Sequence, residues 1–403
     1  MSQKFRVAVV AACPFPAQRG TPARILRMSE ALAGRGHEIH VVTYHLGQPD
    51  HDLPFDIHRI PSVRTYRKLS PGPSYQKLLV LDPLLAMKLA GLLRDREIDL
   101  IHAHHFEGAL AAWPAHKWFG KPLVFDVHTL LESELPFYGM GLPQRIKKRV
   151  GGWLDRSVPR LADHVIAVSQ KIKDRLVLQK GMTEERVSVI HSGVEAEMFV
   201  APRAAGSEID ADRTGETLIF TGNLAPYQRI DLLLQAVAPV LRRWPASKLL
   251  IVTDGGFDDH EAMAVALGIR DRIRIVRADL TELPGYLAEA DVALNPRTEC
   301  DGLPQKLLNY MAAAKPIVSF AGSAKYLEHK KSGLVAPDGD VGSFTGAILH
   351  LLADRDLAAR LGANARVVVQ QELSWTRNAE LTESVYERVM RGARHAVAGG
   401  ADE

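Results

Sequence analysis

FRVAVVAACPFPAQRGTPARILRMSEALAGRGHEIHVVT, residues 5–43, decides the fold. Residues 5–12 form a short continuous apolar run, the pattern of a parallel strand covered on both faces. A loop from Cys13 to Gly20 follows. Thr21 then reads as the N-cap of a helix with Pro22 at its first position, Ile25, Met28, Ala31 and Leu32 along its apolar stripe, and Gly36 to close it. HEIHVVT, residues 37–43, reads as the next strand. Strand, loop, helix and strand make a βαβ unit, and right-handed crossover makes its strands parallel. The loop lacks GxGxxG, which argues against a nicotinamide dehydrogenase. Gly20, at the helix start, is still a place where backbone can approach a phosphate.

The alternation continues along the chain. Strands are predicted to end near residues 61, 105, 128 and 169, between helices over 83–94, 107–117 and 170–180. Ligands of open parallel sheets gather beyond the carboxyl ends of the strands, which singles out His104, His128 and Ser169. His128 is favoured, because Asp126 and Glu132 are near enough in sequence to tune an imidazole suited to neutral pH. Residues 201–216, APRAAGSEIDADRTGE, hold almost no large apolar side chain and read as a linker. It joins a domain over 1–200 to a second α/β run over 217–374, in which strands over 217–222, 248–253, 272–277 and 292–295 alternate with helical stretches. A last helix is expected over 375–391 and a flexible tail over 392–403.

The stretch 298–320, TECDGLPQKLLNYMAAAKPIVSF, concentrates the chemistry. Pro304 suits a first helical turn, Leu307, Leu308, Met311 and Ala312 repeat at helical spacing, and Asp301 and Gly302 fall in the loop at the helix mouth. Such a mouth favours anions, because its first N–H groups are unpaired and carry the positive end of the helix dipole. Asn309 lies two turns further on, within reach of the same ligand.

At 403 residues the chain is long enough for two or three domains, and 46% hydrophobic against 24% charged residues describes a soluble globular protein. No apolar run approaches the roughly 20 residues that span a bilayer. Cys13 and Cys300 are the only cysteines, which indicates neither a disulfide framework nor a cysteine metal site and suits a reducing cytoplasm. Residues 1–200 hold 27 Lys and Arg against 20 Asp and Glu, a net +7, while the remainder holds 23 against 27, a net −4. The basic half is expected to meet something anionic. In PQRIKKRVGGWLDRSVP, residues 143–159, Ile146, Val150, Trp153 and Leu154 lie beside Arg145, Lys147, Lys148 and Arg149, an interfacial pattern that suggests contact with an anionic membrane. Twelve of the sixteen histidines lie in the first half, yet neither HExxH nor CxxC accompanies them, so no metal is predicted, nor is a nucleic-acid partner.

Taken in order, GTPARILRMSEALAGRGHEIHVVT, HVIAVSQKIKDRL, VSVIHSGVEAEMF, FTGNLAPYQRIDLLLQAV and DGLPQKLLNYMAAAKPIV resemble the retaining GT-B glycosyltransferases of family 4, the glycosyl transferases group 1, from about residue 5 to about residue 391. The resemblance implies an α/β fold of two doubly wound, Rossmann-like domains facing a cleft, with the last helix crossing back to the first domain. It implies an acceptor site in the first domain and a nucleotide-diphosphate sugar in the second. Asp301 and Asn309 take the places of the family's two acidic-motif carboxylates, and Gly302, Leu303 and Pro304 would face the sugar or diphosphate. His128 matches the family's histidine at the acceptor side. After the strand end at Gly222, Asn223 and Gln228 stand where the family places an Arg and a Lys against the diphosphate; Arg229, Arg297 or Lys306 could take over that charge. No bound cofactor is implied, the nucleotide sugar being a co-substrate. The implied reaction moves a hexose or N-acetylhexosamine to a hydroxyl of a glycolipid or polysaccharide precursor; the expected place is the cytoplasm, with the basic, apolar stretch 143–159 suggesting the inner face of the membrane. The missing cations leave open a polyprenyl-phosphate sugar donor, or a non-catalytic binding or scaffold subunit of a glycan assembly complex.

Overall fold

Along β1 (Arg6–Ala11) successive side chains enter opposite layers. Ala8 and Val10 join one buried cluster with Leu85 and Leu89, while Val7 and Val9 join another with Ile25 and Met28. Both faces are covered, which is why the strand reads as an unbroken apolar run. The computed structural model describes residues 3–17, 20–48, 52–67, 74–138, 143–199, 215–253, 255–278, 281–300 and 302–399.

The chain divides into two compact units, one running to Ser192 and resuming at Trp375, the other Gly193–Ser374. In the first, β1, β2 (Glu38–Thr43), β3 (Asp56–Arg59), β4 (Leu100–His104), β5 (Leu123–Val127), β6 (His164–Ala167) and β7 (Val187–Val189) form one sheet in the order β3-β2-β1-β4-β5-β6-β7. Every pairing is parallel. Helices Gly20–Gly34, Asp82–Asp95 and His105–Phe119 supply crossovers. The second sheet holds β8 (Thr217–Thr221), β9 (Lys248–Val252), β10 (Ile273–Val276), β11 (Val292–Asn295), β12 (Ile317–Phe320) and β13 (Leu334–Ala336) in the order β10-β9-β8-β11-β12-β13, again all parallel. Strand order reverses between β1 and β4 and between β8 and β11, the points where doubly wound sheets open a crevice.

Several expectations shift. The first helix starts at Gly20, whose φ is +62°, so Thr21 lies inside the helix instead of capping it. The first unit ends at Ser192 and not at 200, because Val194 and Ala196 bury with Tyr310 and Leu373 of the second. Most of the expected linker, residues 201–214, lies outside the described residues. Helices Asp258–Ala266 and Leu283–Glu289 were not foreseen; both are short and present too few turns for an apolar stripe to repeat. The last helix, Trp375–Gly399, continues past residue 391 into the expected tail, of which 400–403 lie outside the described residues.

That last helix is built into the first unit. The Phe5 N–H donates to His37 Nδ1 at 3.1 Å, so His37 carries its proton on Nε2 and donates to Glu383 Oε1 at 2.7 Å. Arg35 donates to Glu383 Oε2 at 2.6 Å. Tyr386 is fully buried edge-on to Phe5, with its hydroxyl 2.8 Å from His102 Nδ1. Tyr386→Ala is therefore expected to destabilise the first unit by about 3–5 kcal/mol. Tyr386→Phe, which loses only the hydrogen bond, should cost about 1 kcal/mol. Urea unfolding followed by circular dichroism separates the two.

Candidate functional site

In the second unit the chemistry gathers where β8 ends. Gly222 follows the strand with φ +118°, a conformation that side chains other than hydrogen rarely adopt, and a Cβ there would lie 3.3 Å from Lys306 Nζ. Lys306 comes from the first turn of the helix Gln305–Ala312 and is only 8% exposed. Its ammonium donates to Gln228 Oε1 at 2.8 Å and sits 3.7 Å from the centre of the Phe220 ring. No carboxylate among the described residues pairs with it. Burial first, then the charge of Arg297, holds its pKa well below the usual lysine range.

The helix carrying Lys306 is tied to the strand by Tyr310, a fully buried side chain whose hydroxyl accepts the Thr221 N–H at 2.8 Å. Asn223 and Gln228 brace the intervening turn. The Asn223 amide donates to the Tyr227 hydroxyl at 2.8 Å, and its carbonyl oxygen accepts from the Ala225 N–H at 3.2 Å and from the Gln228 amide at 3.4 Å. Arg297 lies 4.8 Å from the centre of the Tyr227 ring. The structure thus gathers Gly222, Asn223, Gln228, Arg297 and Lys306 at one strand end.

Other expected residues fare differently. Arg229 adopts a left-handed conformation and forks onto Asp231 at 2.8 and 3.0 Å, so its charge is already committed. Asn309 is buried, with its oxygen 3.4 Å from the Gln305 amide. Gly302, Leu303 and Pro304 lead into the helix as expected, and a Cβ on Gly302 would meet nothing within 4 Å. Asp301 lies outside the described residues. Gly20 belongs to the first unit, whereas the other expected donor residues belong to the second.

The first unit holds its own constellation at the ends of β4 and β5. Arg24, 4% exposed, donates to Asp126 Oδ2 at 3.0 Å and to the carbonyls of His191 and Ile190 at 2.6 and 2.8 Å. His104 Nδ1 lies 3.1 Å from His128 Nε2, and the His105 ring lies 5.2 Å from that of His128. Burial drives the pKa values of His104 and His128 well below the usual histidine range, and neighbouring cationic groups add to the effect. His128 is therefore a neutral imidazole that accepts or donates one proton, and His104 fixes its orientation. Asp126 is held by Arg24, and Glu132 pairs with Lys180 instead of reaching His128. His102, His104 and Asp126 offer three donor atoms within 4.8 Å, and Arg24 already holds Oδ2 of the carboxylate.

Arg24 escaped the sequence reading, although a signal was there: it stands one turn before Met28 on the buried stripe, and a charge in that place needs a partner. On the helix Gln144–Ser157, Ile146, Val150 and Trp153 are exposed beside exposed Arg145, Lys148 and Arg149. Lys147 departs from the expected basic face, being buried with its ammonium donating to the Tyr138 carbonyl at 2.5 Å. Gly151 permits close packing there, for a Cβ would come within 2.5 Å of the Leu131 backbone.

Residues 19–198 match the family model described as Glycosyltransferase Family 4, and residues 215–354 match that described as Glycosyl transferases group 1. The chain is 28% identical over 399 residues to D-inositol 3-phosphate glycosyltransferase 2 of Catenulispora acidiphila, covering 93% of this chain and 91% of the relative. Among solved structures it is similar to sucrose-phosphate synthase from Thermosynechococcus elongatus, with a TM-score of 0.76, 19% identity and coverage of 96% of this chain and 100% of the other. It is also similar to HepE of Anabaena in complex with UDP-glucose, with a TM-score of 0.69, 19% identity and coverage of 95% and 100%. These likenesses show a shared fold, the GT-B class of paired Rossmann-like sheets.

The depressed Lys306 generates a test of the strand-end site. A bound polyanion should raise the Lys306 pKa that burial lowers, so at pH values between the free and bound pKa the binding of inorganic pyrophosphate is expected to draw protons from solution. Its affinity should fall as pH rises through the pKa that the lysine has in the complex. Calorimetric heats measured in two buffers of different ionisation enthalpy should differ for the wild type and agree for Lys306→Met; equal heats in the wild type would contradict the assignment.

Proposed function

From a chain that is a glycosyltransferase, its Glycosyltransferase Family 4 domain followed by a Glycosyl transferases group 1 domain, we propose retaining transfer of a hexose or N-acetylhexosamine from a nucleotide-diphosphate sugar. The acceptor is a hydroxyl of a glycolipid or polysaccharide precursor. One observation carries the reading: the Lys306 ammonium, buried beside Gly222 and without a carboxylate among the described residues, is a cation prepared for an anion. It supplies from the helix what Asn223 and Gln228 lack on the preceding turn. HepE, a structure of the same fold, was solved with UDP-glucose, which supports a donor of this class.

The chemistry asked of the chain is electrostatic. As the sugar–phosphate bond breaks, negative charge develops on the leaving diphosphate, and Lys306, Arg297 and the backbone N–H groups of Gly302 and Leu303 stabilise it. The acceptor hydroxyl attacks from the face that the diphosphate leaves, so the anomeric configuration is kept. His128, neutral and oriented by His104, positions a hydroxyl by hydrogen bonding. No covalent nucleophile is assigned. Asp301 is proposed at the donor sugar and Asn309 near the ribose, where an amide accepts from one hydroxyl and donates to another.

The name of the Catenulispora relative favours a second acceptor class, a phosphorylated cyclitol. An acceptor panel containing D-inositol 3-phosphate beside lipid-linked sugars decides between them. The exposed Ile146, Val150 and Trp153 beside Arg145, Lys148 and Arg149 support docking on an anionic membrane, each near-surface cation contributing about 1 kcal/mol.

With a turned-over nucleotide sugar, Lys306→Met is expected to raise the donor KM or lower kcat at least tenfold, about 1.4 kcal/mol of transition-state stabilisation. Arg229→Ala should change either constant less than about threefold, since its partner is Asp231. His128→Ala and Asp301→Ala should each lower kcat by at least about tenfold while leaving the unfolding midpoint near that of the wild type. The reverse order, a damaged Arg229 variant and an unaffected Lys306 variant, would discard the site.

Co-sedimentation should show binding to anionic but not neutral vesicles. Binding should weaken with salt and disappear when Arg145, Lys148 and Arg149 are changed to Glu. Recovery in the supernatant with both lipids would refute membrane docking.

A further inference from the structure

At the outer edge of the first sheet, β2 and β3 place four polar side chains on one face. In the parallel register His40 stands opposite Asp56 and Val42 opposite His58, so Glu38, His40, Asp56 and His58 share that face. His40 is only 1% exposed, while the Asp56 side chain is 62% exposed and keeps a path to solvent.

The donor atoms converge. Glu38 Oε1 lies 2.9 Å from His40 Nε2, which places the proton of a neutral His40 on Nε2 and leaves a lone pair on Nδ1. That Nδ1 faces His58 Nε2 at 3.3 Å and Asp56 Oδ2 at 3.4 Å. All three donor atoms lie within 4.8 Å of one another. A hydrogen bond from His58 satisfies the first contact but not the second, where a carboxylate oxygen meets a lone pair; a cation between them satisfies both.

We propose that His40, His58 and Asp56 form a binding site for a zinc-class divalent ion that clips the edge strand β3 to β2. Tetrahedral zinc with bonds of about 2.0–2.1 Å sets its ligands about 3.4 Å apart, the spacing found around His40 Nδ1. Two imidazoles and one carboxylate suit zinc, with water completing the set from the solvent side. Glu38 on the far nitrogen is the partner that fixes the ring and raises its basicity. β3 is a four-residue strand paired on one side only, the kind of edge that a cross-strand clip holds in place.

The test uses the untagged full chain after dialysis against a chelator. Titration with Co²⁺ should give the visible absorption of a tetrahedral N/O site, saturating at one ion per chain and abolished by Zn²⁺. At zinc concentrations about 100 times Kd the unfolding midpoint of the first unit should rise by roughly 5–10 °C. His58→Ala should remove the absorption band, Asp56→Asn should weaken binding at least tenfold, and Glu38→Gln should weaken it about 10–100-fold. Glu38 and Asp56 are largely exposed, so their variants test the site without a core disruption. Absence of the band in the wild type at 1 mM Co²⁺ (about a thousandfold above a micromolar site), or a band unchanged in His58→Ala, would overturn the proposal.

Discussion

A lysine ammonium enclosed by an aromatic ring, a glycine and a glutamine amide is the constraint around which the second unit is arranged. Taking a charge out of water is expensive unless something compensates it, and Gln228 with the face of Phe220 compensates only in part. Each neighbour of Lys306 has a part in holding it at the strand end. Gly222 leaves room for it, Tyr310 fixes its helix to β8, and Asn223 holds the Gln228 turn.

The first unit treats its buried charge in the opposite way. Arg24 is bound by one carboxylate and two backbone carbonyls, and so behaves as a structural pin. It joins the first helix to the end of β5 and to residues 190–191. The Asn378 amide also donates to the His191 carbonyl, which draws the last helix into the same network. The imidazoles of His104 and His128 border this network and are kept neutral chiefly by burial, with the charge of Arg24 adding to it. One unit thus holds a cation in need of an anion, and the other holds neutral hydrogen-bonding groups suited to a hydroxyl.

Most strands were legible because parallel sheets buried on both faces write themselves as apolar runs; β11 was read at both of its ends and β8 within one residue, while the three-residue strands β7 and β13 are too short to stand out. The helix mouth at Gly302–Pro304 was legible from glycine and proline alone. What failed was the direction of long side chains. Arg229 was the first candidate on paper and Arg297 the second, with Lys306 only an alternative, yet a nearby carboxylate takes Arg229 while Lys306 is buried against Phe220. Lys147 failed for the same reason, turning inward to a carbonyl while its neighbours face water. Periodicity assigns a face to a residue, but which of several cations is left unneutralised depends on partners distant in sequence, as Gln228 is from Lys306.

A crystal structure of the wild-type chain with UDP tests the central claim most directly. The account predicts a diphosphate oxygen about 2.7–2.9 Å from Lys306 Nζ, the distance of a charge-assisted hydrogen bond, with the diphosphate lying against the Gly222 backbone. A diphosphate bound through Arg229, with Lys306 still held only by Gln228, would contradict it.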